Sequence, residues 1–258
     1  MCGINGLIYK NQKPNLQEIS MMNRSISHRG PDDEGILSFE NTLLGHVRLS
    51  IQDLSKKGRQ PMSVDNRYWI VYNGEIYNFQ NIKSDLEKKG YKFYSKTDTE
   101  VILNSFKEWG TKAFFKFNGM WSFAILDKEK KELIISRDRY GVKPCYISKQ
   151  NNKIIFSSEI KGIISSEENY NLDSKKFLLA DKYKERCFTT EYENIDIVQP
   201  GFFYKINITN LEISKHRWWN GLNNLPKIEI SRKKRIEDLK NKLNEAIKLR
   251  LISDTKIA

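Results

Sequence analysis

Over most of the chain the apolar residues come in short runs broken by polar or glycine-containing turns, the signature of strands more than of helices. Gly3–Tyr9, Thr42–Leu49 (TLLGHVRL), Tyr68–Tyr72 (YWIVY), Met120–Leu126 (MWSFAIL), Glu132–Ser136 (ELIIS) and Lys153–Phe156 (KIIF) predict strands. Their aromatic and β-branched residues suit a pleated surface. Gly201–Ile208 and Leu211–His216 predict a closing hairpin. Helical spacing is confined to a few places. Leu16, Ile19, Met22 and Ile26 mark a helix over Asn15–Ser27, which stops at the polar loop SHRGPDDEG, Ser27 to Gly35. Phe79–Lys89 is a second helix, ended by Gly90 as a C-cap. Thr97-Asp98-Thr99-Glu100 forms a T-x-x-E capping box that opens a third, and Ser174–Lys184 is also predicted helical. After the turn-rich Asn220–Pro226 comes a lysine-rich helix, Ser231–Leu251, with the stripe Ile236, Leu239, Leu243, Ala246, Ile247 and Leu251. Many strands and few helices imply an α+β domain of layered sheets rather than a doubly wound fold. Its expected extent is 1–217, with 218–258 a linker and the first helix of something further.

Composition narrows the picture. The 258 residues are 39% apolar, 12% aromatic and 29% charged, enough for a packed core and unlike a disordered chain. The net charge of +12 raises nucleic acid as a partner. The basic residues are nevertheless spread out, and the densest run, SRKKR from Ser231, opens a helix. With no RNP, KH, zinc-knuckle or helix-turn-helix pattern, a solvated lysine-rich surface is favoured over a nucleic-acid partner. The three cysteines, Cys2, Cys145 and Cys187, fit neither a disulfide framework nor a zinc site, so a cytoplasmic protein without a metal is expected. No signal-peptide pattern, membrane-length apolar run or lipobox is present, and no membrane partner is expected.

Cys2 stands out because a thiol beside the initiator methionine is an awkward core residue. Removing Met1, which the small next side chain permits, would give Cys2 a free α-amine. Such an amine has an ordinary pKa of about 7.7–8.0, well placed to act as a general base, and a nucleophile activated by its own terminal amine is an established device. Gly3 lets other backbone approach. Arg48 ends the strand of GHVRLSI. It is either a surface arginine or a fork that grips a carboxylate. Asn73-Gly74 in NGE is either a type I′ turn or a pair of donors aimed at an oxyanion. Asp98 either complements the helix dipole or accepts from a substrate ammonium. Taken together, these groups match an α-amino acid with a side-chain carbonyl, and glutamine fits.

MCGI, SHRGPDDEG, GHVRLSI, QPM, VYNGEIYNF, TDTEVIL, NGMWSFAILD, RDRYGVKPCY and FSSEIKGI, in this order, resemble class II glutamine amidotransferases. The wording is similar to the amino-terminal half of glutamine-hydrolysing asparagine synthetases of the bacterial B type, over essentially the whole chain. The resemblance implies an N-terminal nucleophile (Ntn) hydrolase fold, a four-layer αββα sandwich of two antiparallel sheets between helices. It implies Cys2 as nucleophile and Asn73 and Gly74 as the oxyanion hole. Arg48 with the backbone of Leu49, Ser50, Ile51 and Gln52 would bind glutamine, together with Glu75 and Asp98. Arg29 and Gly30 have a supporting role, and His28 and His46 need no catalytic one. In such enzymes ammonia passes to a second domain that amidates aspartate using ATP and Mg2+, and a homodimer is one expectation for the full-length form. The loop SGGxDS of that domain does not occur in these residues. Glutamine hydrolysis without a cofactor is therefore expected of this chain. The same glutaminase domain serving a sugar or peptide carboxylate, or an inactive remnant, are the competing readings.

Overall fold

The computed structural model describes residues 1–166, 170–176, 190–221, 231–251 and 254. Most of the predicted 174–184 helix, Cys187 and part of the 220–226 linker lie outside them. Among the described residues twelve strands form two six-stranded sheets. In the first the order is β10 (Asp196–Ile197), β8 (Tyr146–Lys149), β9 (Lys153–Ser157), β1 (Gly3–Tyr9), β3 (Thr42–Arg48), β2 (Asp33–Phe39). In the second it is β12 (Ile213–Arg217), β11 (Phe202–Asn207), β7 (Glu132–Arg137), β6 (Gly119–Asp127), β5 (Tyr68–Ile76), β4 (Met62–Ser63). Neighbouring strands run antiparallel throughout.

Three apolar clusters separate the layers. Between the sheets, Ile4, Ile8, Leu44 and Phe156 meet Val71, Ala124, Leu126, Leu133 and Ile135. On the far side of the first sheet, Leu7, Leu43 and Ile155 pack on Ile19 and Met22 of α1 (Leu16–Ser25) and Ile163 of α4 (Ile160–Ile164). On the far side of the second, Ile70, Tyr72, Trp121 and Phe123 pack on α2 (Phe79–Glu87) and α3 (Asp98–Trp109). The architecture is thus αββα, as the resemblance implies. Because strands such as β1, β3 and β6 are covered on both faces, their sequences read as near-continuous apolar runs. Each buried aliphatic side chain contributes about 1.5–3 kcal/mol. Among the described residues no helix is long and apolar enough to cross a membrane.

Element types agree with the sequence pattern, and two local differences matter for the site. The loop after α1 is shorter than expected: β2 begins at Asp33 and forms the sheet edge. Its alternation of half-buried and exposed positions, with acids and Gly35 among them, hides it from an apolar-run search. The Asn73-Gly74 pair makes no turn either. β5 runs straight through it, with Asn73 opposite Ser122, Gly74 opposite Trp121 and Glu75 opposite Met120. Neither residue has the positive φ that a type I′ turn demands. Tertiary pairing with β6 overrides the local turn signal.

α5 (Arg232–Arg250) has no buried residue. Arg250, near its end, places its guanidinium 4.6 Å from the centre of the Tyr77 ring.

Candidate active site

The nucleophile candidate is held by its backbone and its sulfur. β1 pairs Gly3 with Val47 of β3, which fixes the chain just after Cys2. The Cys2 carbonyl accepts from Arg29 Nε at 3.0 Å, and its Sγ lies 3.5 Å from the Leu49 carbonyl oxygen. Arg29 is itself anchored, with Nη1 2.9 Å from Glu159 Oε1. Gly30 is needed beside it, because a Cβ there would lie 2.4 Å from the Arg48 nitrogen. The SHRGP loop is therefore a clamp on the Cys2 backbone.

One cavity is lined by Met1, Cys2, Arg48, Leu49, Ile51, Gln52, Asn73, Gly74, Glu75 and Asp98, with Gln60, Thr97, Thr99 and Lys143 among the rest. Residues some seventy positions apart in the chain meet there because β3 and β5 end at the same edge of the sandwich. Ser50 is not among the lining residues, and its N–H donates to Asp32 Oδ2 at 2.7 Å. Arg48 is buried. Its Nη1 donates to the Ser55 carbonyl at 3.0 Å, and its Nη2 donates to those of Gln52 and Asp53. The fork is fixed by this loop before any substrate arrives. Gly58 makes room for it, since a Cβ there would lie 2.2 Å from Arg48 Nη2.

Asn73 is buried, and among the described residues its Nδ2 has no hydrogen-bond partner. A buried amide donor left unsatisfied costs about 1–3 kcal/mol, so an acceptor supplied by a ligand is the economical explanation. Gly74 is sterically required, because a Cβ would lie 2.3 Å from the Met120 carbonyl oxygen. Asp98, the first residue of α3, accepts from Tyr72 Oη at 2.8 Å and from the Ile76 N–H at 2.9 Å. The predicted capping box is half formed. Thr97 Oγ1 accepts from the Glu100 N–H at 3.3 Å, but Glu100 reaches Tyr94 and Ser95 N–H groups upstream.

A model of the glutamine amidotransferase domain matches residues 1–219. The chain belongs to the class II glutamine amidotransferase family. It is 40% identical, over its whole length and 53% of the relative's, to a putative glutamine-hydrolysing asparagine synthetase 2 of Methanocaldococcus jannaschii. It is 31% identical, over its whole length and 41% of the relative's, to the glutamine-hydrolysing asparagine synthetase 1 of Bacillus subtilis. The chain thus spans about half, or less, of these relatives. The solved glutamine phosphoribosylpyrophosphate amidotransferase of B. subtilis superposes with a TM-score of 0.65 at 19% identity, over 84% of this chain and 49% of that one. That likeness shows the fold alone, the αββα arrangement of two antiparallel sheets between helices.

Electrostatics divide the amidotransferase pocket into two ends. At the thiol end, burial pushes the Cys2 pKa up, against the Leu49 carbonyl contact and the nearby terminal amine. A thiol in this state needs a base. Burial lowers the pKa of the Met1 amine, and Arg29 and Lys143 lower it further, while the Cys2 thiol and Asp32 raise it. At the other end, burial pushes Asp98 up to about 6, against the stabilising hydrogen bonds from Ile76 and Tyr72. Glu75 is also raised by burial, offset in part by Lys143 and Arg250. His46 cannot serve as the base: burial lowers it to about 3, and its Nε2 donates to the Tyr72 carbonyl at 3.0 Å, tying β3 to β5. Cys145 is fully buried and raised to about 11 by that burial, which makes it inert. His28 sits outside the pocket, 2.9 Å from Glu159.

Sequence reasoning missed Gln60, Thr97, Thr99 and Lys143 as lining groups, and the buried, unpartnered Oε1 of Gln52, for which only a backbone role is implied. Lys143 lies in the motif RDRYGVKPCY, so a signal for it existed, but the motif names no role.

Proposed function

We propose that this chain hydrolyses the side-chain amide of glutamine through Cys2. The buried Asn73 Nδ2, a donor in the same cavity as the thiol with no partner among the described residues, carries this assignment. The substrate α-ammonium faces Asp98 and Glu75 and the α-carboxylate faces Arg48, which leaves the amide carbonyl toward Cys2. Sγ attacks the amide carbon, and the thiol proton passes to the α-amine of Cys2 once Met1 is gone. The carbonyl oxygen, now an oxyanion, takes hydrogen bonds from Asn73 Nδ2 and the Gly74 N–H. The protonated amine then returns its proton to the departing nitrogen, the C–N bond breaks, and ammonia leaves a thioester. Water, deprotonated by the same amine, attacks the thioester. The C–S bond breaks, glutamate departs and the thiol is restored.

Ammonia made this way is destined for the amidation of aspartate to asparagine in a further domain, as the names of the relatives support. That step uses ATP and Mg2+. The pyrophosphate loop SGGxDS is not in these 258 residues, and among the described residues no group of three His, Cys, Asp or Glu could hold a metal. The ATP-dependent step is therefore assigned no residue here.

An intact-mass spectrum after incubation with a glutamine-analogue electrophile tests the assignment. The expected product lacks Met1 and carries one adduct on Cys2. Unmodified Cys2 with Met1 still attached would overturn the nucleophile.

A further inference from the structure

Lys143 is an ammonium-bearing residue that is almost wholly buried, 5% exposed, and lines the same cavity as Cys2. A buried lysine is uncommon unless it is paired or has work to do. Its backbone is fixed at both sides: the Lys143 N–H donates to Asp138 Oδ2 at 3.0 Å, and the Lys143 carbonyl accepts from Arg137 Nε at 2.7 Å. Asp138 Oδ1 also accepts the N–H groups of Tyr140 and Val142, each at 3.0 Å. Arg137 donates to the carbonyls of Gly141 and Val198 at 2.7 and 2.8 Å. Gly141 turns the loop at φ +68°, and a Cβ there would lie 2.9 Å from Arg137 Cζ. Two buried charged side chains thus build a rigid loop whose product is one ammonium at the cavity wall.

That ammonium points at the amino terminus. Lys143 Nζ lies 3.3 Å from Met1 Sδ. Cys2 itself is pinned through its carbonyl by Arg29 and through Sγ near the Leu49 carbonyl. Removing Met1 therefore leaves Cys2 in place, uncovers its amine, and takes away the side chain that lies against Nζ. The terminal amine of the intact chain is that of Met1, and the charged groups acting on it are the Cys2 thiol, Arg29, Lys143 and Asp32; the Cys2 nitrogen is the next one along the chain. Burial lowers the pKa of Lys143 itself, and Arg29 lowers it further, while Glu75, Cys2 and Asp138 favour its charged form. Asp138 is occupied by backbone N–H groups, which leaves Glu75 as the acidic group that offsets part of the charge Lys143 presents.

We propose that Lys143 is a positioning residue for catalysis, its ammonium set by the 137–143 loop to hold the Cys2 α-amine neutral, and hence basic, at physiological pH. This rests on Cys2 acting with its own amine as base. A protonated amine cannot take the thiol proton. A fixed like charge nearby lowers the amine's proton affinity without touching the substrate.

The test compares wild type, Lys143→Met and Lys143→Arg, all with Met1 removed, by the pH dependence of kcat/KM for glutamine hydrolysis. In Lys143→Met the acid limb should move up by roughly 0.5–1 pH unit, the effect of one unit charge at a partly solvated site. Lys143→Arg should keep the wild-type limb. A folded Lys143→Met protein with an unmoved limb overturns the proposal. A second measurement needs no turnover: NMR titration of the 13C-labelled α-carbon beside the terminal amine in Cys2→Ala protein, with and without Lys143→Met. An amine that titrates at the same pH in both refutes the role of Lys143 even if hydrolysis is intact. A shifted amine in the Cys2→Ala protein, together with a Cys2-bearing wild type that never hydrolyses glutamine, upholds it and overturns the proposed function instead.

Discussion

Replacing Asp98 by asparagine separates what this carboxylate does for a substrate from what it costs the fold. Asp98 is buried, and its pKa is raised from 3.8 to about 6, chiefly by burial. A group raised in the folded state favours folding most below its unfolded pKa, and that contribution is lost as pH rises through the folded one. At about 1.4 kcal/mol per unit, a shift of about two units means wild type loses about 3 kcal/mol between pH 4 and pH 8. Asp98→Asn has no such titration. Its amide oxygen can still accept from Tyr72 Oη and the Ile76 N–H, while its NH2 replaces an oxygen that faces the Thr99 N–H. That mismatch costs about 1–3 kcal/mol but does not depend on pH. The informative quantity is therefore the difference in unfolding free energy between variant and wild type, followed by urea melts from pH 4 to pH 8. It also cancels the titration of His46, which is buried neutral and destabilises the fold as pH falls below its ordinary 6.5. The difference should move in favour of the variant by about 3 kcal/mol as pH rises, or about 1 M in urea midpoint for a slope of about 3 kcal/mol/M. At pH 8, where Asp98 is ionised, Asp98→Asn should raise KM for glutamine roughly 30-fold or more, since an ammonium would lose its buried counter-charge. Stability curves that stay parallel across the pH range would refute both the charge state and the role built on it.

Asn73→Ala should lower kcat for glutamine hydrolysis by about 100- to 1000-fold, with little change in urea midpoint because Nδ2 has no partner among the described residues to lose; a normal kcat removes Asn73 from the oxyanion hole. Gly74→Ala should lose about 1–3 kcal/mol of stability, because a Cβ would lie 2.3 Å from the Met120 carbonyl oxygen inside the β5–β6 ladder; an unchanged urea midpoint would contradict the packing. In the electrophile experiment Cys145 should stay unlabelled, since burial raises its pKa to about 11; peptide mapping that finds an adduct there would show the core opens.

Much of this fold is legible in the chain. The runs YWIVY and MWSFAIL give buried strands, the 3.6-residue spacing of Ile19, Met22 and Ile26 gives α1, and Thr97 caps α3 where the capping pattern places it. These are local signals, set by propensity and burial within a few residues. β2 escapes them because an edge strand with one half-buried face needs no apolar run. The motifs likewise mark Cys2, Arg48, Asn73 and Asp98 as chemical groups, and their order in the chain resembles one family.

Sequence alone, then, determines many of the strands and helices, which side chains carry charge or nucleophilicity, and which family the chain resembles. Only the tertiary structure decides what those side chains can do. It runs β5 through Asn73-Gly74 instead of turning there, because pairing with β6 outweighs a two-residue turn preference. It commits part of the Arg48 fork to loop carbonyls, leaves Asn73 Nδ2 without a partner among the described residues and dehydrates Asp98. It also brings Lys143, far along the chain, against the amino terminus. Desolvation and unmet hydrogen bonds depend on what surrounds a group from every direction, and that is a property of the packed layers rather than of neighbours in sequence.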